Sequence, residues 1–229
     1  YADMILVESE NLLELINELL DVSKVESGRF KLERVPFDLK RLLNSVNGSM
    51  GMRARRKKLN YLCSIEENTT IRLYGDPSRL RQILVNLIGN AIKFTESGTI
   101  EVNCRQVSDR GKTVVLRFSV KDTGIGIPRD KHSIIFDSFV QGDGSTTRKY
   151  GGSGLGTTIS KQLIEMMNGE IGFESEEGKG TTFWFTVTYE KRYHAQLDDD
   201  LSNNTFPVNP VQNERPGRDK LKGKGIHIL

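Results

Sequence analysis

The stretch from Asp76 to Thr95, DPSRLRQILVNLIGNAIKFT, constrains the fold of this chain more than any other. Asp76 can accept hydrogen bonds from the free N–H groups of a helix N-terminus, and Pro77 suits the first helical position because its missing N–H is not needed there. Leu80, Ile83, Leu84, Leu87, Ile88 and Ala91 recur at helical spacing and mark one buried face. Asn86, Asn90 and Lys93 follow a 4-then-3 step and line up on a neighbouring face. That stripe offers amide oxygen to a metal and positive charge to phosphates. A hard cation such as Mg²⁺ accepts such oxygens with water and takes its remaining ligands from a nucleotide. Taken alone, the stripe reads as the solvated face of an amphipathic helix. What turns it toward a ligand is the glycine-rich sequence that follows.

The rest of the chain supplies a core for that helix. With 229 residues it can form one or two domains, and 36% hydrophobic with 28% charged residues suits a globular protein with some polar tail. A net charge of +3 gives no support for nucleic acid as a partner. Cys63 and Cys104 lack metal-ligand spacing and form no disulfide framework, so a reducing compartment is expected. No apolar run approaches the roughly 20 residues of a membrane span, and no signal peptide is visible. The chain begins mid-helix without Met, which reads as a fragment; a membrane anchor could lie upstream.

Residues 1 to about 27 carry apolar positions in heptad register: Ile5, Leu12 and Leu19 in one row, Leu6, Leu13 and Leu20 in the next, Ile16 between. Such a seam suits a dimerising helix as well as an ordinary core helix. Pro36 holds Val35 extended, and Asp38 caps a helix expected to run to about Lys58. The basic end of that helix, Arg53 to Lys58, reads as a solvated face. Leu59 to Ile65 and Ile71 to Tyr74 read as strands, as do Ile100 to Val107 and Val114 to Asp122 around a turn at Asp109-Arg110-Gly111. Glu170 to Ser175 and Thr181 to Tyr189 complete the set. After about Lys191 the composition becomes that of a linker, with Pro207, Pro210 and Pro216 at intervals.

Two glycine motifs carry chemistry. Asp122-Thr123-Gly124-Ile125-Gly126-Ile127-Pro128 ends a strand with an acid, and a carboxylate fixed there can accept the exocyclic amine of adenine. A strand-ending Asp-Gly turn is common, so this motif alone is a moderate signal. Gly151-Gly152-Ser153-Gly154-Leu155-Gly156 precedes a helix from Thr157 to Met167, and a glycine-rich loop with a helix N-terminus makes a phosphate cradle. It is not a P-loop, since no Lys follows Gly156. Phe136 and Phe139 lie between the motifs, ahead of a Gly/Ser/Thr-rich stretch with the composition of a mobile lid; Arg148 and Lys149 near its end could reach phosphates. Plain core packing of the two phenylalanines is compatible with that lid.

Four blocks in this order resemble a family. NLIGNAIKF resembles the N box of sensor histidine kinases, DTGIGIP their first glycine box, FDSF their F box and GGSGLG their second glycine box; GKGTTF looks like the third. The resemblance covers roughly residues 1 to 190. It implies an α+β fold of the GHKL type, a mixed sheet covered on one face by helices, preceded by a long N-terminal helix. It implies ATP and Mg²⁺ as cofactors. Asn90 resembles the magnesium ligand, Asn86 the second N-box asparagine near the phosphates, and Lys93 a phosphate contact. Asp122 resembles the adenine-binding carboxylate, with Gly124 and Gly126 shaping its pocket. Gly152, Gly154, Leu155 and Gly156 would hold phosphates, and Thr182 resembles a residue that supports Asp122 through water.

The same resemblance divides the chain. Residues 1–30 look like the second helix of a dimerisation hairpin, 31–190 the catalytic ATP-binding domain, 191–224 a flexible linker, and 225–229 the start of a receiver domain. A receiver domain of a response regulator, and a second copy joined through the hairpin, are the implied partners, in a cytoplasmic domain. One departure stands out. The family's phosphoacceptor histidine sits in an SHELRTP-like block, whereas His132, His194 and His227 lack that context. His132 is expected at the surface beside the lid. Thr157 and Thr158 stand where Leu and Ala are commoner, at slight cost in helix propensity. Three readings follow: a histidine kinase domain whose acceptor is elsewhere, a GHKL ATPase, or a non-catalytic nucleotide sensor. The ATPases place a Glu where this chain has Asn86, and an amide is a poor general base.

Overall fold

The computed structural model describes Ser9, Ile16, Leu20 and residues 30–137 and 155–192. Ser9, Ile16 and Leu20 are helical and exposed; the rest of the expected N-terminal helix, the linker from 193 and the segment 225–229 lie outside the described residues. The compact unit to which the described residues belong ends at Arg192.

Among residues 30–137 and 155–192, three α-helices and seven strands form. β1 (Val35–Asp38) leads into α1 (Leu39–Arg56), and the Asp38 carboxylate accepts the Arg41 N–H at 2.9 Å as the cap. β2 (Asn60–Ile65) and β3 (Arg72–Gly75) precede α2 (Pro77–Phe94). Asp76 caps α2 by accepting the N–H groups of Ser78 and Arg79 at 3.1 and 3.0 Å. β4 (Thr99–Arg110) and β5 (Thr113–Asp122) form a hairpin, α3 (Gly156–Met166) comes next among the described helices, and β6 (Ile171–Glu176) and β7 (Gly180–Lys191) form a second hairpin. The β4–β5 turn falls on Gly111 and Lys112, so Asp109 and Arg110, expected in the turn, end β4 instead. Arg110 pairs with Thr113, and Asp109 serves the turn by accepting the Gly111 N–H at 3.0 Å.

The sheet runs β1-β3-β7-β5-β4-β2, with β6 on the free stretch of β7. All pairs are antiparallel except β2 with β4, so the sheet is mixed as expected. Side chains alternate across each strand. Ile100, Val102 and Cys104 of β4, Val114, Leu116, Phe118 and Val120 of β5, and Phe183, Phe185 and Val187 of β7 are buried on one face. The helices cover that face. Leu80, Ile83, Leu84, Leu87 and Ile88 of α2 are each at most 1% exposed, and each such side chain contributes about 1.5–3 kcal/mol when removed from water. On the opposite face the Arg117 guanidinium lies 4.1 Å from the Trp184 ring centroid.

The packing places chemistry at one end of the sheet. Asp122 ends β5, and the C-terminal half of α2 passes beside the loop that follows it. The Ile125 N–H donates to the Phe94 carbonyl at 3.3 Å.

Candidate nucleotide-binding site

Asn86, Asn90 and Lys93 lie half-buried on α2, beside the fully packed apolar face. The Asn86 amide nitrogen donates to the Ser160 hydroxyl oxygen of α3 at 2.8 Å. Desolvation lowers the pKa of the Lys93 ammonium, whose Nζ stands 4.8 Å from the Phe94 ring centroid. The C-terminus of α2 is held from α1. Lys57 Nζ donates to the carbonyls of Ile92, Lys93 and Thr95 at 2.7, 3.0 and 3.3 Å. A cation there complements the negative end of the helix and satisfies carbonyls that have no partner within it.

Asp122 is 8% exposed. Burial raises its carboxyl pKa, while N–H groups of Gly124 and Thr181 hold it down; the Gly124 bond measures 2.8 Å. Two backbone donors leave part of a carboxylate's capacity of about four acceptor sites open. The following loop is fastened to the β6–β7 hairpin. Ile127 N–H donates to Ser175 Oγ at 2.8 Å, Gly178 N–H donates to the Ile125 carbonyl at 2.8 Å, and Ser175 and Thr181 share a hydroxyl hydrogen bond at 2.8 Å. Gly126 is required here on two counts: its φ is +68°, and a Cβ would stand 2.1 Å from the Glu176 carbonyl oxygen. Ile125 remains 43% exposed beside Asp122, an apolar surface next to a buried acceptor.

Phe136, near the end of the described residues before 138, belongs to an aromatic cluster. Phe136 sets its ring edge toward Phe173 and Phe183 at 5.8 and 6.4 Å. Thr158 Oγ1 donates to the Phe136 carbonyl at 3.1 Å, so a threonine that costs helix propensity ties α3 to the F box. Leu155 is 2% exposed and begins α3 with Gly156. Phe139, Arg148, Lys149, Gly152 and Gly154 lie outside the described residues.

Two expectations shift. His132 is half-buried rather than freely exposed, with Nε2 2.9 Å from the Ile127 carbonyl and its ring edge-on to Phe173 at 5.1 Å. Thr182 stands on the face of β7 away from Asp122. Asp122 pairs with Thr181 in the β5–β7 register, and Thr181 is 6% exposed on the helix-covered face. The signal for Thr181 was in the sequence, since it shares the period-2 face of Phe183, Phe185 and Val187. Ser160, Ser175 and Lys57 had no comparable signal, because their partners come from distant elements.

The site thus joins an amide stripe, a buried carboxylate at a strand end and a glycine-rich helix start. The family profile described as "Histidine kinase-, DNA gyrase B-, and HSP90-like ATPase" matches residues 75–191, from the last residue of β3 to the last of β7. The chain belongs to this ATPase family. Within it, the likeness is to the catalytic domain of sensor histidine kinases. The chain is 43% identical over 191 residues to the sensor protein GacS of Pseudomonas syringae pv. syringae, covering 83% of this chain and 21% of GacS. It is 40% identical over 182 residues to the signal transduction histidine-protein kinase BarA of Escherichia coli K12, covering 80% of this chain and 20% of BarA. It thus spans about a fifth of these relatives. Among solved structures, full-length ShkA in complex with AMPPNP superposes with a TM-score of 0.68 at 34% identity, over 81% of this chain and 37% of ShkA. Among the described residues no helix is long and apolar enough to cross a membrane.

Proposed function

We propose that this chain is the catalytic ATP-binding domain of a hybrid sensor histidine kinase, and that it delivers the ATP γ-phosphate to a histidine outside these residues. The observation that carries the proposal is the presence of both a buried Asp122 and an amide, Asn86, in one domain. Asp122 is a buried carboxylate with acceptor capacity left open for the adenine amine. Asn86 stands where an ATPase of this family needs an acid, and its amide nitrogen is already committed to Ser160. An amide is a poor general base and does not activate water. The AMPPNP bound to ShkA, an ATP analogue, supports the choice of ligand.

Residues divide between the two ends of the nucleotide. Asp122, Gly124, Gly126 and Phe136 form the adenine side, with Thr181 supporting Asp122 in place of Thr182. Asn86, Lys93, Leu155 and Gly156 form the phosphate side together with Phe139, Arg148, Lys149, Gly152 and Gly154. The donor set fits magnesium. No group of three His, Cys, Asp or Glu could cage a metal among the described residues, and a magnesium ion that keeps its waters and takes phosphate oxygens needs no such cage. Asn90 would hold it through its amide oxygen, and the ion would supply neutralising charge to the phosphates. In the transfer, the bond from the γ-phosphorus to the ADP oxygen breaks and a bond to the acceptor imidazole nitrogen forms. The chain's task is positioning and charge stabilisation.

In the whole protein, residues 1–30 would pair with a second copy through the hairpin, and a receiver domain would accept the phosphate. His132 makes a poor acceptor, because its Nε2 lies against the Ile127 carbonyl. The test uses the chain with radioactive ATP and Mg²⁺, with and without a separate acceptor-histidine hairpin. Acid-labile label on the hairpin, and none on the chain alone, is the expected result. Label on His132, His194 or His227, or steady phosphate release without the hairpin, overturns the proposal.

A further inference from the structure

We infer that Ser160 is a positioning residue for the phosphate end of the site: its hydroxyl oxygen fixes the Asn86 amide so that the amide carbonyl faces the start of α3. The inference rests on the phosphate-side role proposed above for Asn86. Ser160 is 2% exposed, on the buried face of α3 with Ile159, Leu163 and Ile164. Packing alone asks for an apolar residue there, and a buried hydroxyl is costly unless it is paired. Its partner is the Asn86 nitrogen, at 2.8 Å.

The consequence lies at the other atom of the amide. With the nitrogen held by Ser160, the Asn86 carbonyl oxygen is turned toward Gly156, where an added Cβ would stand only 2.3 Å from it. Gly156 is the first residue of α3, at the phosphate end; an amide oxygen held there would serve the magnesium that accompanies the phosphates, and the second N–H of the amide would serve a phosphate oxygen. The terminal torsion of an asparagine is broad and roughly two-fold, so an unanchored amide presents oxygen or nitrogen to the ligand side in turn. Anchoring selects one arrangement before the nucleotide arrives. It also ties the N box on α2 to the helix that follows the second glycine box.

The test compares Ser160→Ala, Ser160→Thr, Asn86→Ala and the Ser160→Ala/Asn86→Ala double variant in the full chain. Calorimetry gives the affinities for Mg-ATP and for adenosine, and NMR follows hydrogen exchange of the Asn86 side-chain amide without nucleotide. Ser160→Ala is expected to weaken Mg-ATP binding by about 2- to 12-fold, the range of one neutral hydrogen bond, and to leave adenosine binding unchanged. The Asn86 amide protons should exchange faster in Ser160→Ala, and Ser160→Thr should restore both readouts. In the Asn86→Ala background, Ser160→Ala should add nothing. Equal loss of Mg-ATP and adenosine affinity, or a Ser160→Ala effect that persists without Asn86, overturns the inference by assigning Ser160 to packing alone. An Mg-ATP loss in Asn86→Ala with none in Ser160→Ala overturns the positioning role while sparing the role of Asn86. Unchanged Mg-ATP affinity in Asn86→Ala overturns both.

Discussion

Replacing Asp122 by Asn isolates the group on which adenine recognition turns. In the wild-type chain the N–H groups of Gly124 and Thr181 both point at the carboxylate. An asparagine can serve those donors only through its single oxygen, which turns its own N–H₂ toward the ligand. The adenine amine then meets a donor where it needs an acceptor. A hydrogen bond to a charged group contributes about 1.5–3 kcal/mol, so ATP affinity should fall about 10- to 150-fold. The fold should survive, because the amide oxygen still accepts from the loop. Calorimetric titration with ATP and GTP, beside thermal unfolding, measures both effects. Unchanged ATP affinity in a folded Asp122→Asn variant would refute the assignment. A pH series adds an independent check. Because burial raises the Asp122 pKa, folding favours the protonated form; stability from this group is gained as pH falls through the raised value and lost as pH rises through it. Adenosine binding needs the ionised form, so it should weaken as pH falls through that value. The dependence should be absent in Asp122→Asn.

Further outcomes follow from α2. Asn90→Ala should reduce affinity for Mg-ATP more than for adenosine; equal effects in parallel titrations would make Asn90 structural only. Lys57→Met should cost about 1 kcal/mol by releasing the carbonyls at the C-terminus of α2, a shift of about 2–4 °C in thermal unfolding. An unchanged melting temperature would mean that water caps the helix equally well.

Local rules made much of this protein legible from its sequence. Asp76 and Pro77 announce α2, and its apolar spacing names the buried face down to Ala91. Asp38 announces α1 in the same way, because a cap and a 3.6-residue period act within a few residues of chain. The order of asparagine stripe, Asp-Gly turn and glycine-rich loop carried the family as well, since each motif is a contiguous run. What lay beyond the sequence was pairing between distant segments. The period-2 pattern of β7 already puts Thr181 on the buried face, but only the β5–β7 register sets it opposite Asp122. Ser160 meets Asn86 across 74 positions of chain, and Lys57 reaches carbonyls more than 30 positions away. His132 turns inward because Ile127 and Phe173 offer it a carbonyl and a ring. Such partners are chosen by how helices and sheet pack, and no local propensity encodes them.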